Sequence, residues 1–431
     1  MKKKLRILLT WTVISLLVQF ALYSFLDHSI AKVLAPPSNE PITASLTARI
    51  PGSNLENPQL SYDKKYLATV DHGVFKVFNL KSEKLVFSKS APSGNPKGMG
   101  VISYKWLPDR NTLIYFYARQ NPAAPNPTPA KPATQTKATV AHTSAAQLTV
   151  PKTQKEDPQE SLPSKPQPES PKPSTPAPSQ TQPVKPYNPQ ITELYTLEFL
   201  DDEGIEPEDR KNDVESLDSY FPAGGQIIHL DFSTSTNLIY LTVKSGTTMK
   251  LLEIDVMKDI SNLTKGGETI TNVAVSDQYG TLYIDSKQGT SKQVAAVKGW
   301  QRYAITKKDN QYLLGTGNGV VYLGEIDNNQ LVKILTVKDS SDLKNINTAA
   351  ETQWEGSIPF KDSKTVIGSK GQLIIYGQNQ LHVVQDGKEQ QIDLGEEKGE
   401  TSYVTRDGAE LFQLRPEGSM TIVELKPLTS L

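Results

Sequence analysis

Few residues of this chain have types that could do chemistry, and most of those fail on spacing. Asp201, Asp202, Glu203, Glu206, Glu208, Asp209, Asp213, Glu215 and Asp218 crowd into one stretch. Calcium takes several carboxylate and carbonyl oxygens, so 201–218 is the candidate cation site. Asp201-Asp202-Glu203-Gly204 lacks the alternate-position acids of an EF-hand loop, and the plainer reading is a solvated acidic loop after a strand. The five histidines (His28, His72, His142, His229 and His382) are scattered, with no pair at metal-binding spacing. With no cysteine, disulfides, thiolate zinc sites, Fe–S clusters and cysteine nucleophiles are excluded together. Gly-x-Ser-x-Gly, a P-loop and a Gly-x-Gly-x-x-Gly before a helix are all absent. Gly315-Thr316-Gly317-Asn318-Gly319 has the composition of a cofactor loop, but between Leu313-Leu314 and Val320-Val321 it reads as a hairpin turn. Trp106, Trp300 and Trp354 could stack a ligand at a channel mouth, against a default of packing between sheets. The sequence nominates no catalytic residue, no metal ligand and no cofactor.

What must position such residues is a repeated strand unit. Leu60–Phe87 reads as a short apolar strand, a polar turn at Ser61–Lys65, and strands at Tyr66–Val70, Gly73–Leu80 and Leu85–Phe87. Alone, a four-stranded unit cannot bury both faces, so copies must stack. The turn and the strand after it recur at Leu107–Phe116, Phe232–Leu241, Val275–Ile284, Thr306–Leu314, Phe360–Ile367 and Val404–Phe412. Most neighbours lie about 40–50 residues apart, the period of a propeller blade. Asp, Ser, Asn and Gly suit the turn because they hydrogen-bond nearby backbone or tolerate positive φ. Asp63, Asp109, Asp277 and Asp407 are therefore turn residues. No long 3.6-period pattern follows residue 27, and the expectation is an all-β propeller of six or seven blades, seven favoured. Ile42–Ile50 is a further strand, free to pair with the C-terminal copy and close the ring.

The pattern apolar-x-Ser-x-Asp-Gly/Lys-x-x-Leu, followed by an aromatic strand, resembles the TolB-type, WD-repeat-like β-propellers of bacteria. Ser61/Asp63/Leu67, Ser276/Asp277/Leu282 and Asp407/Gly408/Leu411 carry the likeness, which covers roughly Ile42–Leu431. The resemblance implies a fold and leaves function open, and the hydrolase domain that some such propellers cap is missing. The Gly-His and Trp-Asp signatures of eukaryotic WD repeats are absent.

Two segments stand outside the repeat. Ile7–Leu26 is an apolar run of 20 residues behind Lys2, Lys3, Lys4 and Arg6, with Asp27 after it. A helix of that length spans roughly 30 Å, the hydrocarbon core of a bilayer. The positive-inside rule leaves residues 1–26 as a cytoplasmic stub and anchor and sends the 27–41 tether and everything after it outward. A cleaved signal peptide ending near Ser29-Ile30-Ala31 is the competing reading. The second segment, 120–188, interrupts the propeller at 42–431: seventeen of the 30 prolines lie in Pro122–Pro189. Such a composition cannot offset chain entropy by burial and predicts a disordered loop within one blade, acting as an inert spacer or, through its lysine excess, as a contact to a cell-wall polymer. A formal net charge of -1 gives no basic surface for nucleic acid. The composite expectation is a single-pass membrane protein whose extracytoplasmic propeller binds or scaffolds envelope proteins. The alternatives are a propeller hydrolase or lyase with channel-lining carboxylates, or a structural spacer.

Overall fold

Each turn-and-strand repeat draws the chain back and forth beside itself, and the result is a set of small antiparallel sheets. The computed structural model describes Gln19 and residues 45–92, 99–122, 190–200, 205–214, 217–221, 224–346, 348–377, 379–394 and 399–428. Among these, 28 strands form seven four-stranded sheets, the blades of an all-β propeller. The N-terminal strand β1 is Leu46–Pro51. Blade one is β2–β5 (Leu55–Leu60, Tyr66–Asp71, Val74–Asn79, Lys84–Lys89). Blade two is β6–β9 (Gly100–Trp106, Thr112–Gln120, Gln190–Glu198, Glu208–Asn212). Blade three is β10–β13 (Gln226–Ser233, Leu238–Ser245, Thr248–Ile254, Ile260–Asn262). Blade four is β14–β17 (Glu268–Val275, Leu282–Gln288, Ser291–Lys298, Gln301–Thr306). Blade five is β18–β21 (Gln311–Gly317, Val320–Asp327, Gln330–Lys338, Glu351–Pro359) and blade six is β22–β25 (Lys364–Ile367, Leu373–Tyr376, Gln380–Gln385, Lys388–Asp393). Blade seven joins β26–β28 (Thr401–Val404, Glu410–Glu417, Met420–Pro427) to β1, so the sheet runs β26-β27-β28-β1.

Blades stack because their middle strands are apolar on both sides. Leu282–Ser286 and Leu373–Tyr376 are buried throughout, as an apolar run bounded by turns should be. Fourth strands such as Glu208–Asn212 and Lys388–Asp393 are largely exposed and charged, which blunts an open sheet edge. Each seam between neighbours holds its own apolar cluster: Phe75, Tyr104, Tyr115 and Leu197 between blades one and two, Tyr283, Val294, Leu313 and Val321 between blades four and five. First strands of successive blades lie side by side, β2 on β6, β6 on β10, β10 on β14, β14 on β18 and β18 on β22. They are therefore the inner strands. Antiparallel alternation puts every first-to-second and third-to-fourth connection on one face of the ring, here the turn face, and all other connections on the opposite face.

Closure is made by β1 on β28, with Leu46 opposite Leu425 and Pro51 opposite Met420. The expected pairing of the N-terminal strand with the last copy is thus observed over Leu46–Pro51; 42–44 lie outside the described residues. Ala48 and Ile50, both fully buried, pack with Leu67, Phe78, Phe412 and Val423, which joins the first and last blades.

The first turns interlock around the turn face. In blade one, Ser61 Oγ donates to Asp63 Oδ1 at 2.8 Å and Lys65 N donates to the same oxygen at 3.0 Å. Asp63 N in turn donates to Asn111 Oδ1 in blade two's turn at 3.3 Å. Lys64 reaches back to blade seven, 2.9 Å from Asp407 and 2.8 Å from Glu410. Ser369 N donates to Asp407 O at 2.9 Å between blades six and seven. Gly408, at φ +66°, sits so close to Gly368 that a Cβ would lie 2.7 Å from its Cα, and glycine meets both conditions. The aspartates of the repeat are turn residues, as expected.

Two copies fall out of register. Thr306–Leu314 and Phe360–Ile367 place their polar turns between β17 and β18 and between β21 and β22, as connections from blade to blade. The equivalent first turns are Asn318-Gly319, in the hairpin expected at 315–319 with Gly317 opposite Val320, and Gly368–Gln372. The cause is that both kinds of connection use the same turn chemistry. Gln120 and Gln190 face each other at the opposite-face end of β7 and β8, so these two strands are consecutive in one blade as the sequence implied; 123–188 lies outside the described residues. So do the 27–41 tether and, apart from Gln19, the Ile7–Leu26 run; among described residues no helix is long and apolar enough to cross a membrane.

Two consequences are testable. Ile50→Ala should destabilise the whole ring by about 3 kcal/mol, as for other buried aliphatic truncations, measured by urea unfolding; an unchanged midpoint would mean that closure does not limit stability. The second concerns Lys64. Burial alone would raise Asp407, but the Thr405 hydroxyl, Lys64 and the Ala409 N–H outweigh it and hold the carboxyl below its ordinary value. A carboxyl depressed in the folded chain stabilises above the unfolded value of 3.8 and loses that contribution as pH falls through its folded value. Lys64→Met should cost about 1 kcal/mol at pH 7 for this half-exposed pair of contacts. The gap from wild type should narrow on acidification below the unfolded value, and a gap independent of pH would rule out the ion pairs as its source.

Candidate functional site

Polar side chains gather at several places among the described residues, and those at the inner wall and at the opposite face of blade two are satisfied internally. Near the inner wall, Lys105 Nζ donates to Asp231 Oδ1 at 2.7 Å and to Leu230 O at 2.9 Å. Val275 N donates to Asp231 Oδ2 at 3.2 Å. Arg406, from blade seven, donates to Trp106 O at 3.3 Å and lies 3.7 Å from Asp231. Burial pushes the Asp231 carboxyl up, but Lys105 and Arg406 outweigh it and the net direction is down. Burial pulls Lys105 below the ordinary lysine value despite Asp231. Every charged group here has a partner, so the cluster ties blades two, three, four and seven together. At the opposite face of blade two, Glu193 accepts from Arg119 at 3.0 Å and Tyr195 at 3.1 Å and pairs with Lys211 at 3.0 Å, again fully engaged.

Another such place is a cleft of about 640 Å³ between blades four, five and six, opening on the opposite face. Two inner strands are irregular here, as are β2, β6 and β10 in their own blades. The ladder of β14 shifts between Ile270 and Asn272 and that of β18 between Leu313 and Gly315. The first shift lets Asn272 Nδ2 donate across the seam to Leu313 O at 2.8 Å. On the wall behind stands Asp285, a charged residue that follows the apolar Leu282-Tyr283-Ile284 in its strand; it is 1% exposed. Its Oδ2 accepts from Leu313 N at 3.3 Å. Its buried Oδ1 has no hydrogen-bond partner among the described residues.

Lys292, on β16, is the nearest cation, 3.6 Å from Asp285 Oδ2. That ammonium is shared: it also donates to Gln311 O at 2.8 Å and lies over the Tyr312 ring, 2.8 Å from its centre. Burial raises the Asp285 carboxyl, and Lys292 offsets this only in part; burial likewise lowers Lys292, and Asp285 offsets this only in part. An orphaned buried acceptor costs roughly 1–3 kcal/mol, more for a charged group, so this cleft has an acceptor with unused binding capacity in its wall.

The residues singled out in the sequence do not meet here. The acidic stretch is not one loop. Glu208–Asn212 is the outer strand β9, and Leu217–Tyr220 makes a helical turn. Asp209 binds Lys89 at 2.7 Å and accepts from Tyr115 at 2.6 Å, while Asp218 accepts from Thr192 N at 2.7 Å. A fourth strand tolerates such charges because its outer edge faces water. Asp201–Gly204 and Glu215 lie outside the described residues, among which no group of three acids or histidines could hold a metal. Trp106 and Trp354 are buried between blades, as expected; Trp300 is not, and stands 65% exposed on the turn between β16 and β17. His72, His229 and His382 bind Asp71, Thr242 and Glu389 separately.

The fourth repeat copy ends at Ile284, one residue short of Asp285. The signal that could have found it is an aspartate directly after the apolar run Leu282-Tyr283-Ile284, inside a strand predicted to be covered on both faces.

No family model and no curated protein matches the chain. Among solved structures it is similar to the β-propeller domain of Myceliophteria thermophila Cps50 (Swd1), with 9% identity and a TM-score of 0.47 over 90% of this chain and 100% of that one. It is also similar to the Dos1 propeller, with 10% identity and a TM-score of 0.44 over 86% and 78%. The strand ladders establish on their own that this chain forms a seven-bladed β-propeller.

Proposed function

We propose that this chain is a membrane-anchored binding or scaffolding module of the cell envelope, whose propeller lies outside the cytoplasm and docks a protein partner on its turn face. The observation that supports this is the placement of exposed apolar side chains. Val256 and Met257, on the turn between β12 and β13, are 60% and 77% exposed, and Trp300 occupies the corresponding turn of the next blade. Tyr279, on blade four's first turn, is exposed beside them in the fold order, and Leu200 and Ile205 follow β8 on the same face. A turn gains nothing in folding by showing tryptophan and methionine to water, whereas both are favoured where a partner is buried. Rim loops on a rigid ring are also where binding residues usually sit. The placement outside the cytoplasm rests on Lys2–Arg6 before Ile7–Leu26 and Asp27 after it. The proline-rich segment acts as a spacer, with its lysines available to an anionic wall polymer.

One observation favours an enzyme as a second reading: a raised carboxyl and a lowered lysine meet in the cleft, the arrangement proton-transfer sites use. Turnover that disappears in Asp285→Asn with the fold intact would establish that reading.

A photo-crosslinking residue at position 257 or 300 of the full chain, expressed in cells, should capture the same protein, and one at Asn329 on the opposite face should not. Trp300→Asp should weaken co-purification of that protein about tenfold, the loss typical of a central interface anchor. Equal capture from both faces would remove the turn face from the account. Protease added to intact cells should release the propeller, and a chain left whole by such treatment would overturn the outward orientation.

A further inference from the structure

We infer that the cleft between blades four, five and six is a binding site for a neutral polyhydroxylated ligand, an oligosaccharide in size and chemistry. The inference stands apart from the partner-docking reading, since the cleft opens on the opposite face. Three observations carry it.

First, Asp285 presents a buried acceptor with nothing to accept from, while its other oxygen is held by Leu313 N. A ligand entering the cleft is favoured if it brings a hydrogen-bond donor to that wall. Second, the charges in the lining balance. Asp285 and Asp309 would oppose an anion, and Lys287 and Lys292 would oppose a cation. A hydroxyl satisfies both signs because it donates and accepts, and the hydroxyl oxygens of Thr271, Ser363 and Thr365, whose hydrogens are given to Asp285 O, Pro359 O and Leu314 O, keep acceptor capacity toward it. Third, the lining offers apolar ring surface in Phe360 and in the exposed part of Tyr312, one side of whose ring the Lys292 ammonium covers. Such surface covers the C–H faces of a sugar ring, whereas a fully polar wall would leave them unburied. A volume of about 640 Å³ lies in the range of ligand pockets and accommodates more than one ring.

The test uses the full chain, solubilised in a detergent without a sugar headgroup so that the detergent does not compete. Maltotriose, cellotriose and N,N′-diacetylchitobiose are offered as probes, with inorganic phosphate and spermidine as charged controls, and binding is read by saturation-transfer NMR and calorimetry. At least one saccharide should bind and neither charged control should. In Asp285→Asn the oxygen stays on Leu313 N, so an amide N–H₂ replaces the free acceptor, and affinity should fall about tenfold, the loss of a hydrogen bond to a charged group. Should that buried substitution unfold the chain, Tyr312→Ala, at a half-exposed position, should weaken binding with an unchanged circular dichroism spectrum. The assignment is overturned if no saccharide saturates the protein at about 10 mM, a free energy too weak for a built site. It is equally overturned if phosphate or spermidine binds in their place, or if saccharide binding is indifferent to both substitutions.

Discussion

The ladder between β1 and β28 is the constraint on which the structure depends. The other six blades are each formed by one continuous stretch of chain, apart from the excursion between β7 and β8, and can pair locally. Blade seven cannot: its fourth strand comes from the other end of the propeller, with Leu46 opposite Leu425. Until that pairing forms, β28 shows an open edge and the apolar sides of blades one and seven face water. Closing a loop of this length is entropically unfavourable, though the cost grows only logarithmically with chain length. The return is the burial of Ala48, Ile50, Leu67, Phe78, Phe412 and Val423 in one step. Contacts this far apart in sequence also make the ring slow to form.

Once closed, the ring holds by repetition. Each seam buries one apolar cluster, and the first turns add a polar layer over it, from Lys64 on Asp407 and Glu410 through Asp63 on Asn111 to Ser369 on Asp407. The polar contacts are individually modest. Their role is geometric, since a turn that hydrogen-bonds to the next turn sets the pitch between blades. Gly408 shows the same constraint in steric form, because no side chain fits where its turn meets Gly368.

What was legible in the sequence follows from how local the cause is. Ser61, Asp63 and their repeats make contacts within five residues, so their turns and the strands that follow could be read from composition and spacing. The misplaced copies at Thr306–Leu314 and Phe360–Ile367 fail for the same reason: Asp309-Asn310 and Asp362-Ser363 make good turns whether the next strand belongs to the same blade or the next one. The acidic stretch 201–218 was read as a loop because strand preference disfavours Glu and Asp, yet pairing of Asp209 with Lys89 and Tyr115 from other strands holds β9 in the sheet. Tertiary context overrides propensity there. Trp300 is the reverse case, a residue whose type predicts burial and whose turn denies it.

Asp285 shows why the candidate site was less visible than the fold. Its oddity, one acid among Leu282, Tyr283, Ile284 and Ser286, is written in the sequence, but its meaning depends on blade five. Lys292 pairs with it only loosely, at 3.6 Å, whereas the buried pair Arg302 and Glu268 touch at 2.8 Å and are 2% and 1% exposed. Gln311 O and the Tyr312 ring share the same ammonium, and they lie on the first strand of the next blade, whose meeting with Asp285 is a tertiary contact. An apolar residue of similar size at this position would remove the unpaired acceptor and its cost. Asp285 Oδ1 and Ser286 Oγ, adjacent on one strand, are both buried without a hydrogen-bond partner, and a buried carboxylate oxygen left unmatched beside an open cleft is a local cost of the kind found at binding sites.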